Sequence, residues 1–122
     1  RIVGVVSRHA TTYADSLAAG RVVEAPVGTR IADGMAVRRA DPAALALLAA
    51  GLDHVVQVDD DEVAAAMRAI YTDTHNLAEG AGAAALAAAL QERASLRGQR
   101  VGLALTGANV DAPVFAGVLG AG

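Results

Sequence analysis

The sequence has no cysteine, no tryptophan and no lysine, and only one phenylalanine and two tyrosines among its 122 residues. Each absence removes a class of chemistry. Without cysteine there are no disulfides and no thiolate metal sites, which fits a reducing compartment. With so few aromatics there is no stacking platform for single-stranded nucleic acid. A net charge of −3 and a pI near 5.5 argue against a nucleic-acid partner, which wants a basic stripe. No apolar run approaches the roughly 18 to 20 residues of a membrane span. The opening RIVGVVSRHATT has neither the basic region nor the long apolar stretch of a secretory signal. The expectation is a soluble cytoplasmic protein without nucleic-acid or membrane partners.

What is present is small and aliphatic. The hydrophobic fraction is 54%, but alanine-rich blocks such as GAGAAALAAAL inflate it. A core of Val, Leu, Ile and Ala packs helices closely, yet each side chain buries little area at roughly 25 cal/mol per Å². Stability is therefore modest unless further structure covers the apolar faces. The length allows one domain at most. The chain opens at Arg1 and runs at once into the strand-like IVGVV, which reads as a piece of something longer.

Periodicity predicts three strands separated by helices. The strands are 2–6 (IVGVV), 53–58 (DHVVQV) and 99–105 (QRVGLAL). A short helix over 12–19 ends at Gly20, and residues 21–40 have no sustained period. The helix DPAALALLAAG carries a cap at Asp41, Pro42 in its first turn and a left-handed exit at Gly51. The segment DDDEVAAAMRAIYTDTH is amphipathic, with Val63, Met67 and Ile70 on one face and acids in its first turn. An alanine-rich helix starts near residue 80, and a last helix is opened by Asp111 and Pro113. Short apolar strands alternating with helices predict an α/β fold with a parallel sheet. Ligands in such sheets gather at the carboxyl ends of strands, here SRHATT, DDDE and TGAN.

Gly80-Ala81-Gly82 is not a dinucleotide fingerprint, because no strand precedes it and Ala85 stands where the third glycine belongs. Its small residues suit close approach to a neighbour. Glu79 is the exception beside them: a carboxylate between Leu77-Ala78 and glycine must be paired or put to use. In LALTGAN, Thr106 offers one hydroxyl at a strand end, while Gly107 and Ala108 leave room for a planar ring; a plain strand-to-helix turn capped by Asn109 or Asp111 is the alternative. The three histidines have no metal-helix spacing, and Ser7 and Ser16 lack a nucleophile elbow.

Taken in order, IVGVVS, SLAAGR, TRIADGMAV, HVVQVDDDEVAAAM, AEGAGAAALAAAL and LTGANVD resemble the C-terminal part of the pyridoxal-phosphate enzymes of the tryptophan-synthase β type. The branch resembled most is that of the serine/threonine dehydratases and serine racemases, the dehydratases first. The resemblance implies a partial three-layer parallel sheet with flanking helices, residues 1–122 being part of the large domain. It implies pyridoxal 5'-phosphate as cofactor, with Thr106 hydrogen-bonding the pyridine nitrogen and Gly107, Ala108 and Asn109 completing the terminal motif. Glu79 matches a glutamate near the ring, and Asp33 and Gly34 of IADG match a loop bordering the site. Ala108 stands where the family has a second glycine. The implied reaction is loss of water from L-threonine or L-serine, giving a 2-oxo acid and ammonia, in an enzyme expected to be a homo-oligomer.

Two departures matter. Many relatives bind a divalent cation through acids whose places here are Val6 and Thr12, so no metal site is expected. The family's Schiff-base lysine and phosphate loop lie N-terminal to the region resembled, and all ten basic residues here are arginine. No catalytic residue is therefore expected in this chain, which alone is expected to be inactive. The lysine and phosphate loop are expected from polypeptide outside it or from a companion chain. The competing readings are threonine synthase, serine racemase or a hydroxyectoine-utilisation dehydratase on the same fold, and a non-catalytic α/β binding module.

Overall fold

The structure, a computed structural model, describes residues 1–121. β1 (Val3–Ser7) and β2 (His54–Val58) pair in parallel, with Val3 opposite His54 and Ser7 opposite Val58. Both are apolar runs, as expected of strands that helices cover on their faces. The connection between them holds α1 (Thr12–Ala19) and α2 (Pro42–Gly51). α1 stops where Gly20 takes φ 65°, a left-handed conformation that favours glycine. α2 starts as its sequence dictates: the Asp41 carboxylate accepts the Ala44 amide hydrogen at 2.8 Å, with Pro42 in the first turn.

The expected left-handed exit at Gly51 is not made. Gly51 is still helical, and the chain leaves through Leu52 at φ −80°, ψ 138°. An extended exit feeds directly into β2, because the Asp53 amide bonds the Ile2 carbonyl at 2.8 Å and fixes the sheet register. A left-handed turn there would carry the chain away from β1.

α3 (Asp60–Thr74) opens with a capping box in which Asp59 and Glu62 each accept the other's backbone amide hydrogen at 2.9 Å. It ends on His75, held left-handed at φ 56°. α4 (Gly80–Gln91) packs along it, and α5 (Ala112–Gly120) closes the chain. Pro113 sits in the first turn of α5, but the Asp111 side chain makes no cap bond. The core is Val56 and Val58 of β2, Val63, Ala66 and Met67 of α3, the buried alanines of α4, and Val118. Val63, Met67 and Ile70 do share the core-facing side of α3. Among the described residues no helix is long and apolar enough to cross a membrane.

The third strand is the main correction. Residues 99–105 are not a strand, and the described sheet has two strands only. Among the described residues, 100–106 make no backbone hydrogen bond. Val101, Leu103 and Leu105 remain 47%, 46% and 48% exposed. A strand requires a ladder partner. Here a cleft of about 500 Å³ separates Val101–Ala104 from Val3 and Val5 of β1.

Candidate functional site

At the N-terminus of α4, three segments close on Glu79. Glu79 is the N-cap residue, so its charge lies at the positive end of the helix dipole. Its amide donates to the Gly107 carbonyl at 3.0 Å, and its Oε2 accepts the Asn109 amide hydrogen at 3.1 Å. One residue thus clasps the turn 107–109 with both backbone and side chain. That settles the pairing of an acid set among small residues: its partner is a backbone amide.

The clasp depends on missing side chains. A Cβ on Gly107 would strike Glu79 Oε1, and one on Gly82 would strike the Gly107 carbonyl oxygen and lie 3.1 Å from its nitrogen. Such separations leave no room for a methyl group. From the other side, the 3₁₀ turn Asp33–Met35 brings Gly34 against the helix; a Cβ there would lie 2.9 Å from Ala81 Cβ and 3.5 Å from Glu79 Oε1.

Of the residues singled out from the sequence, Glu79, Gly34, Gly107 and Asn109 come together here. Thr106 and Ala108 flank the clasp and are exposed. The Thr106 hydroxyl bonds no described residue, as does the carboxylate of exposed Asp33 beside Gly34. Val6 and Thr12 lie at the carboxyl end of β1 and the start of α1, where Thr12 is buried.

Sequence reasoning missed Asp60. Its side chain is 6% exposed, and it accepts from the Thr29 hydroxyl at 2.6 Å and the Arg30 amide at 2.8 Å. Burial pushes its pKa up, but these two hydrogen bonds and the positive groups of His9 and Arg30 outweigh it, leaving the pKa below its ordinary 3.8. Thr29 Oγ1 also accepts the Ala32 amide hydrogen at 3.1 Å. Asp60 thereby pins the loop that carries Asp33 and Gly34 to the carboxyl end of β2. Its signal was the strand-end run DDDE, which read as acids in a first helical turn.

His54 belongs to the opposite end of the sheet. Its Nδ1 lies 2.8 Å from Asp53 Oδ2 and its Nε2 lies 2.6 Å from Glu92 Oε1. The hydrogen bonds to Asp53 and Glu92, with the charges of both acids, raise its pKa above 6.5. Among the described residues no group of three or more His, Asp or Glu side chains is arranged to hold a metal ion.

The residues present fit a flat heteroaromatic cofactor. A hydroxyl without a partner among the described residues stands next to Gly107 and the small Ala108, and a hydroxyl can both donate to and accept from a ring nitrogen. They do not supply a covalent anchor, since there is no lysine.

Comparison with known proteins gives the same direction. The chain is 36% identical over 111 residues to the L-threonine ammonia-lyase of Geobacter sulfurreducens, covering 91% of this chain and 28% of that protein. The processed form of threonine deaminase isoform 2 from Solanum lycopersicum superposes with TM-score 0.89 at 29% identity, over 97% of this chain and 35% of that one. Maize serine racemase superposes with TM-score 0.84 at 28% identity, over 99% and 38%. The chain thus spans roughly a third of the length of these proteins. The fold is that of the tryptophan-synthase β-like enzymes, represented by part of their chain. Residues 1–107 match the family described as pyridoxal-phosphate dependent enzyme, and the chain belongs to that family.

Proposed function

We propose that this chain forms one wall of the pyridoxal-phosphate site in a dehydratase that removes water from L-threonine or L-serine, releasing a 2-oxo acid and ammonia. The observation that carries the reading is the clasp of Glu79 on the 107–109 turn, which leaves the Thr106 hydroxyl free at its edge. When bound, the cofactor supplies the electron sink for chemistry at the substrate Cα. Thr106 would hold the ring nitrogen through a neutral hydroxyl. Such a partner would not keep that nitrogen protonated as a carboxylate would, which would moderate the electron withdrawal. Glu79 acts through the turn, fixing the height of Thr106 against α4. Gly34, on the loop pinned by Asp60, closes one flank without filling it. The covalent lysine and the phosphate-binding loop come from polypeptide outside these residues.

A second reading, racemisation of serine, is favoured by the likeness to maize serine racemase. Product analysis separates the two. The full-length gene product, loaded with cofactor, is incubated with L-threonine and with L-serine, and 2-oxo acid and D-serine are quantified. 2-Oxo acid as the main product from either amino acid supports the first reading. D-serine as the main product replaces it with the second. Thr106→Val should weaken cofactor binding by about 1–3 kcal/mol by leaving a buried ring nitrogen unpaired, while Thr106→Ser retains it. Unchanged cofactor affinity and turnover in Thr106→Val would remove the assigned role.

A further inference from the structure

The Thr29 hydroxyl carries two hydrogen bonds in series. It donates to Asp60 Oδ1 at 2.6 Å and accepts the Ala32 amide hydrogen at 3.1 Å. The two reinforce each other, because a hydroxyl that gives its proton to a carboxylate becomes a stronger acceptor. Asp60 Oδ2 takes the Arg30 amide hydrogen at 2.8 Å, with Arg30 Nε at 3.5 Å, so one buried carboxylate fixes two successive residues. Just before them, the Gly28 amide donates to the His9 carbonyl at 2.7 Å. Residues 28–30 are thereby tied to the segments that follow both strands.

Beyond Thr29 the loop has no slack. Ala32 is fully buried, and the Ile31 carbonyl fills the space where Gly80 lacks a Cβ. Gly34 lies so close that a Cβ there would come 2.9 Å from Ala81 Cβ. Backbone therefore meets backbone at the first residue of α4. The residue before it is Glu79, whose amide holds the Gly107 carbonyl at 3.0 Å. From Thr29 to the turn beside Thr106, each link is a main-chain group: the Ala32 amide, the Ile31 carbonyl against Gly80, and the Glu79 amide on Gly107. Close-packed groups of this kind transmit a displacement rather than absorb it.

We propose that Thr29 and Asp60 are positioning residues for the cofactor ring. Their hydrogen-bonded pair sets the height of residues 31–34 against α4, and through Gly80 and Glu79 it sets where the Thr106 hydroxyl stands. Both act through the backbone rather than by contact with the ring. The last step rests on the function proposed above; the coupling from Thr29 to Glu79 does not. Thr29→Val keeps the volume of the side chain and removes its hydroxyl, so the buried Ala32 amide and one Asp60 oxygen lose their partner. Asp60→Asn keeps an acceptor for Thr29 and loses the one for the Arg30 amide.

The test uses the full-length gene product and pyridoxal phosphate, at a temperature well below melting. In Thr29→Val the cofactor dissociation constant should rise about 2- to 30-fold, and hydrogen exchange should quicken at the Glu79 amide as well as at Ala32. Asp60→Asn should shift both in the same direction, and Thr29→Ser should restore both. The matched control is Ser16→Ala. That buried hydroxyl also donates and accepts, to the Val23 carbonyl at 3.3 Å and from its amide at 2.9 Å, but it sits on α1, which packs mainly on α2. Ser16→Ala should lower the melting temperature and leave cofactor affinity and Glu79 exchange unchanged. Faster exchange at Ala32 alone, with cofactor affinity unchanged, overturns the proposal, because the pair would then hold only its own loop. An equal loss of affinity in Ser16→Ala overturns it too, since general destabilisation would account for both. Quickened Glu79 exchange in Thr29→Val, with cofactor affinity insensitive to Thr106→Val, would fault the proposed function and leave the coupling standing.

Discussion

Gly80→Ala and Gly117→Ala are the same substitution in two helices, and the structure gives them opposite signs. Alanine is favoured over glycine inside a helix by up to about 1 kcal/mol. At Gly117 of α5, a new Cβ meets nothing within 4 Å, so the full propensity gain is expected. At Gly80 a Cβ would strike the Ile31 carbonyl oxygen and lie 2.7 Å from its carbon and 3.2 Å from Ala32 Cα. Those atoms are backbone on a loop held by Thr29 and Asp60, and cannot swing aside as a side-chain tip would. Overpacking of this kind costs typically 1–3 kcal/mol. The propensity gain is smaller, so Gly80→Ala is expected to be destabilising by about 1–2 kcal/mol net, and the loop carrying Gly34 should loosen. Urea titration of both variants reads the difference directly. With a slope of about 2 kcal/mol per M, the Gly80→Ala midpoint falls by roughly 0.5–1 M while that of Gly117→Ala stays or rises. Equal midpoints in the two variants would refute the packing argument, because propensity alone would then account for both.

Asp60→Ala removes the acceptor for the Thr29 hydroxyl and the Arg30 amide, leaving two donors in a buried place; a loss of about 2–3 kcal/mol is expected by denaturant titration, with faster exchange at the Arg30 amide. Because the Asp60 pKa is lowered on folding, its contribution is complete above the unfolded value near 3.8 and is lost as pH falls through the folded one. His54 works in the other direction. Its pKa is raised by Asp53 and Glu92, so its contribution is complete below the unfolded value of 6.5 and is lost as pH rises through the folded one. Melting temperature followed upward from pH 6 should fall in the native sequence and stay flatter in His54→Gln; parallel profiles would remove His54 as the cause.

Local punctuation was legible in the sequence and distant pairing was not. The end of α1 at Gly20, the cap of α2 at Asp41 and the first turn of α3 each depend on residues within one turn of the boundary, and each stands where expected. Gly51 offered a left-handed exit that the sheet register overrode, since the Asp53 amide had to reach Ile2. QRVGLAL has the composition of a strand, but strand formation depends on a partner that no local pattern contains. Asp60 hid among four consecutive acids, 59–62, all suited to a helix N-terminus; only the approach of Thr29, 31 positions earlier, gives it a separate role. Glu79 stood out because it was an acid among small residues, though nothing nearby in sequence named Asn109 as its partner.

The alanine and glycine of α4 serve two neighbours at once. Toward its N-terminus, Gly80 and Gly82 let the Ile31 and Gly107 carbonyls approach the helix backbone, which sets the turn beside Thr106. Toward its C-terminus, Ala85, Ala88 and Ala89 form the floor of the cleft beside β1. Larger side chains would improve the burial of this chain taken alone, at roughly 25 cal/mol per Å². They would also fill the cleft and push the turn off Glu79. A helix with such small side chains gains less apolar burial per residue, and what it provides instead is close approach for two backbone carbonyls at one end and the cleft beside β1 at the other.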